Sequence, residues 1–342
     1  MNNRFPENEL KGLRDLLSEP KTIVITTHHR PDGDAMGSSL GLYNYLKLKG
    51  HRVTVITPSE YPDFLIWLPG NSSVIDFEKK ETDALKVLSS AEIIFCLDFN
   101  WISRVEKFAE PVRSSKAIKV LIDHHLEPEK AFDYSFSYPD ASSTCELIYQ
   151  FILALGDKNK ITKEIAECIY TGIMTDTNSF RFSSMKSDTH RIIADLIDAG
   201  AENFRIHENV YDTYLENRLR LLGYSLKEKL QVLTEYNTAY IALSKAELEM
   251  FNFKTGDTEG LVNYALSIKG IKLAAFFSER NGEIKISFRS KDNFSVKELS
   301  GKYFQGGGHR NAAGGKSDVS LDETVRKFLS ILPEYKSQLV SK

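Results

Sequence analysis

Residues 22–34, TIVITTHHRPDGD, join a short apolar run to a polar turn that is rich in histidine and aspartate. The run TIVITT is rich in β-branched residues, which favour a buried strand. Helical spacing of apolar residues follows from Ser38 to Lys49, so the segment predicts a strand, a turn and a helix in succession. The turn places His28, Asp32 and Asp34 directly after the strand.

Similar short apolar runs recur along the first half of the chain. They lie at Val53–Ile56, Ile93–Asp98 and Ile118–Asp123, and helical patterns separate them. Strands that alternate with helices are typical of a parallel sheet built from βαβ units. Further on, Ser142 or Ser143 can cap a helix that reaches about residue 155, and Thr162 can cap one that reaches Asp176.

The pattern changes twice in the second half of the chain. Residues 187–230 are helical and charged, whereas strand-like runs return at 239–243, 273–278 and 283–289. We therefore predict an α/β protein with an N-terminal parallel-sheet domain and a smaller C-terminal α/β domain. The predicted boundaries are residues 1–186 for the first domain, 187–235 for a helical linker and 236–342 for the second domain.

Acidic and histidine residues follow three of the predicted strands. His28 follows the first, Asp98 ends the strand at 93–98, and Asp123 is followed at once by His124 and His125. Ligand sites of open α/β sheets lie at the carboxyl ends of the strands, so we expect these side chains to meet. Alone, an Asp-Gly-Asp sequence usually forms a turn whose carboxylates contact only solvent. Together, however, these segments predict a metal site.

A cluster of ionised carboxylates needs cations to offset its repulsion. Aspartate oxygens and histidine nitrogens without a thiolate suit Mn²⁺, and they also admit Mg²⁺, Fe²⁺ or Zn²⁺. Two such ions can acidify a shared water, which makes it a nucleophile for phosphorus, and can neutralise the phosphate that it attacks.

The motifs resemble those of the DHH phosphoesterase superfamily. HHRPDGDAMGS, LDFN, IDHH and GIMTDTNSF stand in the family order, and GGGHRNAAGG is similar to the signature of the DHH-associated C-terminal domain. The resemblance covers residues 10–335, and the two-domain layout is most similar to the small nanoRNase/pAp-phosphatase enzymes. One departure is Asn178, which stands where the family usually has glycine; asparagine tolerates a left-handed backbone, so the turn can form.

The resemblance implies a role for each matching residue. Two Mn²⁺ ions would be held by His28 and Asp32 on one side and by Asp34, His124 and Asp176 on the other, with Asp98 bridging them. Asp123 would orient His124, as metal-bound histidines usually require. His125 would contact the scissile phosphate or protonate the leaving oxygen, and His29 is not expected to be a ligand.

The glycine-rich segment of the C-terminal domain has two interpretations. Gly306, Gly307 and Gly308 could form only a flexible turn, or their N–H groups could approach an anion closely. Nine lysines and arginines against four acidic residues between positions 269 and 310 favour the second. The resemblance implies that this domain grips the nucleotide, so Gly306–Gly308, His309 and Arg289 are assigned to substrate binding. Arg280 is equally well explained as a binding residue or a solvated charge.

The composition limits the partners. A net charge of −3 over 342 residues argues against a protein that coats long nucleic acid. Three scattered cysteines, no apolar signal core and no run of about 18 apolar residues predict a cytoplasmic protein without a membrane partner. The sequence leaves the oligomeric state open, with a homodimer among the alternatives.

The leading hypothesis is a metal-dependent hydrolase that releases mononucleotides from very short RNA and also acts on 3′-phosphoadenosine 5′-phosphate. A phosphodiesterase for cyclic or linear dinucleotides is the nearest alternative. A RecJ-like exonuclease or a pyrophosphatase would share the metal motifs but fits the small basic domain less well. A non-catalytic nucleotide-binding module is the alternative from another class.

Overall fold

A computed structural model describes residues 4–181, 185–254, 256–280 and 282–340. The chain divides into two compact units, Met1–Thr213 and Tyr214–Lys342. Each unit contains one six-stranded sheet covered by helices, which confirms the predicted α/β class. Among the described residues, no helix is long and apolar enough to cross a membrane.

The sheet of the first unit is entirely parallel, as the alternation of strands and helices predicts. Its spatial order is β3-β2-β1-β4-β5-β6. The strands are β1 Thr22–Thr27, β2 Arg52–Thr57, β3 Ile75–Asp76, β4 Ile93–Leu97, β5 Ile118–Asp123 and β6 Tyr134–Ser137. Apolar residues of β1 point to both faces, with Ile23 and Ile25 in one core cluster and Val24 in the other, so both faces are buried.

Eight α-helices accompany this sheet in the described part of the first unit. They are α1 Glu7–Leu16, α2 Gly33–Leu48, α3 Glu81–Ser89, α4 Ala109–Ser114, α5 Thr144–Ala154, α6 Lys163–Asp176, α7 Ser187–Asp198 and α8 Asn203–Tyr211. A 3₁₀ segment, Ile102–Phe108, connects β4 to α4. The helices predicted to start after Ser143 and Thr162 begin there, and the Ser143 side chain accepts the N–H of Glu146 as a cap.

Helix α2 begins five residues earlier than its apolar spacing predicts. Asp32 is its N-cap, and its carboxylate accepts the N–H groups of Asp34 and Ala35, both at 3.0 Å. A side-chain oxygen at this position satisfies N–H groups that a helix leaves without partners. The Asp-Gly-Asp turn is therefore the start of the helix, which fixes Asp34 in its first turn.

The second unit has a mixed sheet with the order β11-β12-β10-β9-β8-β7. Its strands are β7 Leu230–Leu233, β8 Thr238–Leu243, β9 Leu273–Arg280, β10 Glu283–Ser290, β11 Gly307–His309 and β12 Ala312–Ser317. Its helices are α9 Glu216–Tyr224, α10 Lys245–Met250, α11 Leu261–Ser267, α12 Val296–Tyr303 and α13 Leu321–Val340. Only β8 and β9 pair in parallel, and the other pairs are antiparallel.

The segment predicted as a linker, residues 187–235, is divided between the two units. Helices α7 and α8 bury Ile192, Leu196 and Ile206 in the main core of the first unit, whereas α9 and β7 belong to the second. A helix with an apolar face is stable when it packs that face against a core. The charged pattern indicated helices α7, α8 and α9 correctly, but it missed strand β7 at the end of the stretch and could not show which core would bury each helix.

Candidate metal centre

The first-unit site forms at the carboxyl ends of three neighbouring strands, β1, β4 and β5. His28 and Asp98 each follow the last residue of a strand, and Asp123 is the last residue of β5, with His124 next. Asp98 has a φ of 63°, in the left-handed region that few residues other than glycine enter, although aspartate does so more often than most. Such backbone strain occurs most often where function demands a particular side-chain direction.

All six predicted metal ligands fall into two groups. In each group, one candidate ligand atom per residue lies within 4.8 Å of the others. The first group is His28, Asp32 and Asp98, and the second is Asp34, His124 and Asp176. The family resemblance implies the same division but shares Asp98 between the two sets, and this ligand assignment stays a prediction.

Asp98 faces both groups at once. Its Oδ2 lies 3.5 Å from Nε2 of His28, and its Oδ1 lies 3.5 Å from Nε2 of His124. The carboxylates of Asp34 and Asp176 approach the same His124 nitrogen at 3.9 and 3.7 Å. Asp98 thus occupies the position expected of a bridging ligand.

His28 presents one nitrogen to this cluster. Its Nδ1 lies 3.0 Å from the carbonyl oxygen of His29. A carbonyl can only accept, so Nδ1 carries the proton and Nε2 keeps a lone pair that could bind a metal. His29 itself points elsewhere, and its Nε2 lies 3.7 Å from a carboxylate oxygen of Glu78.

The start of helix α5 orients two of the carboxylates, a role that the motifs did not reveal. Asp34 accepts the backbone N–H groups of Thr144 and Cys145 at 2.6 and 2.9 Å. The Thr144 hydroxyl donates to Oδ1 of Asp98 at 2.9 Å. The predicted cap at Ser143 was the available signal, because the first N–H groups of a helix have no partner within it.

Asp123 forms two hydrogen bonds with His125. Its Oδ1 lies 2.7 Å from Nδ1 of His125, and its Oδ2 accepts the backbone N–H of His125 at 3.0 Å. The second bond closes a turn of the type in which aspartate binds the N–H two residues later. This local turn directs the carboxylate to His125, and the expectation that Asp123 orients His124 stays a prediction.

The charges of the site are unbalanced. Burial, together with the carboxylates of Asp34 and Asp32, raises the pKa of Asp98 well above its ordinary value. Burial also raises the pKa of Asp34. Burial opposes protonation of His124, but nearby carboxylates, led by Asp176, outweigh it and raise its pKa to about 9. Bound cations would relieve these shifts, so the donor set fits divalent metal ions.

Asp176 ends α6 and is followed by a left-handed turn. Asn178, Ser179 and Phe180 have φ angles of 51°, 57° and 65°. The Phe180 ring packs against Tyr170 with ring centroids 5.5 Å apart. The expected tolerance of asparagine for this backbone is confirmed, and Phe180 lies in a packed aromatic cluster.

This turn leads to a prediction about Asn178. Asn178→Ala should lower the free energy of unfolding by about 1 kcal/mol, because alanine tolerates a left-handed backbone poorly. Asn178→Gly should change it by less than about 0.5 kcal/mol, since glycine relieves strain but gains freedom in the unfolded chain. Urea denaturation measures both variants. An equal loss in both would show that the side chain matters more than the backbone.

In the second unit, two predicted binding residues share a face of the sheet. Ala312 of β12 pairs with Arg289 of β10 and with His309 of β11. Directly opposite residues of antiparallel strands project to the same face, so Arg289 and His309 flank the small Ala312 side chain. Gly307 and Gly308 belong to edge strand β11, not to a flexible turn. Gly306 immediately precedes this strand.

Arg280 lies at the other end of the β9–β10 hairpin. It pairs with Glu283, whereas Arg289 pairs with Ala274 near the start of β9. Its guanidinium lies 4.5 Å from the centre of the Phe253 ring and donates to Thr258. The structure therefore separates Arg280 from the Arg289–His309 row, and it has a packed environment instead of a solvated one.

Two family models match this chain, one in each of its two units. Residues 22–173 match the model of the DHH family N-terminal domain, and residues 237–337 match the DHHA1 domain. A crystal structure of an exopolyphosphatase-related protein from Bacteroides fragilis is 40% identical, covers all of both chains and superposes with a TM-score of 0.95.

Two relatives carry the name bifunctional oligoribonuclease and PAP phosphatase NrnA. The protein from Bacillus subtilis is 30% identical, with 89% of this chain and 92% of the relative aligned. The protein from Thermus thermophilus is 29% identical, with 91% of this chain and 89% of the relative aligned. Both alignments extend over the two units of the chain.

Proposed function

Because the chain belongs to the DHH family of phosphoesterases, we propose that it hydrolyses short oligoribonucleotides to mononucleotides and also dephosphorylates 3′-phosphoadenosine 5′-phosphate. The observation that carries the proposal is the pair of ligand groups that share Asp98. Two relatives named for both activities align over most of their length, which supports this choice of substrates.

We further propose that the two groups hold two Mn²⁺ ions, with Mg²⁺ as the alternative. Oxygen and imidazole donors without thiolate favour such ions. When bound, the ions would withdraw charge from the phosphate and acidify the attacking water. His28 and Asp32 would hold one ion and Asp34, His124 and Asp176 the other, while Asp98 would contact both.

His125 is proposed to act on the substrate itself. Asp123 holds its Nδ1 at 2.7 Å, which fixes the ring and leaves Nε2 for other contacts. During hydrolysis, water attacks phosphorus, the bond to the leaving oxygen breaks, and that oxygen needs a proton. We assign to His125 either contact with the phosphate or delivery of that proton, with Asp123 stabilising the positive imidazole.

The second unit is proposed to bind the nucleotide. Arg289 offers a guanidinium, His309 an imidazole, and the small Ala312 side chain between them leaves room on that face of the sheet. Every second N–H group of an edge strand points away from its neighbouring strand, so the Gly307–Gly308 segment can offer an N–H group to an anion. These features favour a ligand of a few nucleotides.

The test is turnover of a substrate panel with Mn²⁺. It comprises pApA, an RNA trimer, a 24-nucleotide RNA, 3′-phosphoadenosine 5′-phosphate, cyclic di-AMP and pyrophosphate. We expect mononucleotides from pApA and the trimer, release of phosphate from 3′-phosphoadenosine 5′-phosphate, and little action on the 24-mer. Preference for cyclic di-AMP or pyrophosphate would overturn the proposed substrates, and no turnover of any compound would favour a binding module.

A further inference from the structure

One arginine beside the metal centre has no role in the site described above. Arg104 lies in the 3₁₀ segment Ile102–Phe108, which follows β4 and Asp98. Ile102, Val105 and Phe108 of this segment are completely buried, so they anchor it to the core. Arg104 itself is half-buried. The segment therefore holds the Arg104 backbone in a fixed place while part of its side chain reaches solvent.

The backbone of this segment is strained next to Arg104. Glu106 has φ 50° and ψ −120°, a combination that residues other than glycine rarely adopt. Such conformations persist only where the surrounding structure enforces them, and they concentrate at functional sites.

The segment is also tied directly to the first metal-ligand loop. The carbonyl oxygen of Arg104 accepts the backbone N–H of His29 at 2.8 Å. This bond places Arg104 next to the loop that carries His28.

Arg104 makes no ion pair with a carboxylate in residues 4–181, 185–254, 256–280 or 282–340. By contrast, Arg113 in the following helix pairs with Glu129 at 2.6 Å. An arginine that lies beside a metal-ligand loop and forms no ion pair in the described residues is available for another anion. Its planar set of N–H donors matches phosphate oxygens well.

The formal charge of the site supports this use. It contains five carboxylates, those of Asp32, Asp34, Asp98, Asp123 and Asp176. Two divalent ions would add four positive charges, so the loaded site would keep one net negative charge and would repel an anionic substrate. One guanidinium offsets that charge. The offset matters most for a terminal phosphate monoester, which carries up to two negative charges, and less for a phosphodiester, which carries one.

We propose that Arg104 is a substrate-binding residue whose guanidinium contacts a non-bridging oxygen of the scissile phosphate and favours monoesters over diesters. This inference rests on the proposed function and adds a determinant of substrate choice to it. Arg104 would thereby support the phosphatase activity more strongly than the oligoribonuclease activity of the same site.

The experiment compares Arg104→Gln and Arg104→Lys with wild type, and Lys107→Gln serves as control from the same segment, where Lys107 is exposed. The full-length Mn²⁺-loaded protein is assayed for kcat and KM on 3′-phosphoadenosine 5′-phosphate and pApA. Binding of AMP is measured by calorimetry, which needs no turnover. Thermal unfolding identifies any variant that fails to fold.

For Arg104→Gln we expect AMP affinity and kcat/KM on 3′-phosphoadenosine 5′-phosphate to fall about 10- to 100-fold, the effect of losing a charged hydrogen bond. The loss on pApA should be smaller. Arg104→Lys, which keeps the charge but not the paired donors and should preserve the fold, is expected to lie between wild type and Arg104→Gln. Lys107→Gln should match wild type.

Unchanged AMP affinity and unchanged kcat/KM in Arg104→Gln would overturn the inference, as would an equal loss in Lys107→Gln or a larger loss on pApA. Inactivity of wild type toward both substrates would instead contradict the proposed function. In that case AMP binding still decides whether Arg104 contacts a phosphate, so the two failures are distinguishable.

Discussion

Asp98→Ala is expected to lower turnover of pApA by at least about 1,000-fold and to remove the increase in thermal stability that Mn²⁺ gives to wild type. The reason is geometric, since the two oxygens of Asp98 each lie 3.5 Å from a different histidine, His28 and His124. Loss of this side chain takes one donor from both ligand groups at once. Mn²⁺ binding by calorimetry and turnover measure the effect.

The same substitution is expected to have the opposite effect on the stability of the metal-free protein. The pKa of Asp98 is raised by burial and by Asp34 and Asp32, so near pH 7 its ionised form opposes folding. This cost is present above the unfolded pKa of about 4 and disappears as the pH falls below it. In EDTA at pH 7, Asp98→Ala should therefore unfold at the same temperature as wild type or at a higher one.

The control for Asp98 is Asp83→Ala, which removes an exposed carboxylate from helix α3. It should keep Mn²⁺ binding, turnover and stability close to wild-type values. A large loss of stability by Asp98→Ala in EDTA would show that Asp98 is needed for folding and not chiefly for metal. Full Mn²⁺ binding by Asp98→Ala would contradict the bridging assignment.

Gly37→Ala is expected to have the second large effect, on stability and activity together. A methyl group at Gly37 in α2 would lie 2.5 Å from the carbonyl oxygen of Cys168 and 3.0 Å from the N–H nitrogen of Gly172, both in α6. Backbone atoms cannot turn aside as a side chain can, so the helices must separate. Overpacking of this kind costs about 1–3 kcal/mol or more.

Separation of these helices would also disturb the metal centre. Asp34 lies one turn before Gly37 in α2, and Asp176 lies one turn after Gly172 in α6. Both belong to the same ligand group, so a shift of about 1 Å should weaken Mn²⁺ binding and reduce turnover about 100-fold. Urea unfolding, calorimetry and the pApA assay measure the three effects.

Gly223→Ala is the matched control, because Gly223 lies in helix α9 and a methyl group there would meet nothing within 4 Å in the described structure. Alanine is the better helix former by about 1 kcal/mol, so this variant should be slightly more stable and fully active. If Gly37→Ala also gained stability, the close approach of α2 and α6 would not be the reason for glycine at position 37.

Much of the architecture could be predicted from local patterns. Buried β-branched runs predicted the first and last residues of β1 and β5 correctly. The order of Asp and His after the strands indicated a metal site. These inferences succeed because side-chain alternation and helical spacing are properties of neighbouring residues. The start of α2 was missed because the polar cap residues Asp32 and Asp34 interrupt the apolar spacing.

Other features depend on which elements lie side by side, and local patterns carry no information on that. The sequence determined the α/β class, the motifs and the candidate ligands. Only the tertiary structure decided that Asp98 faces two histidines, that Thr144 binds Asp98, and that Arg289 shares a row with His309 while Arg280 does not. The physical reason is that these contacts join residues far apart in the chain, and strand order, register and helix packing bring them together.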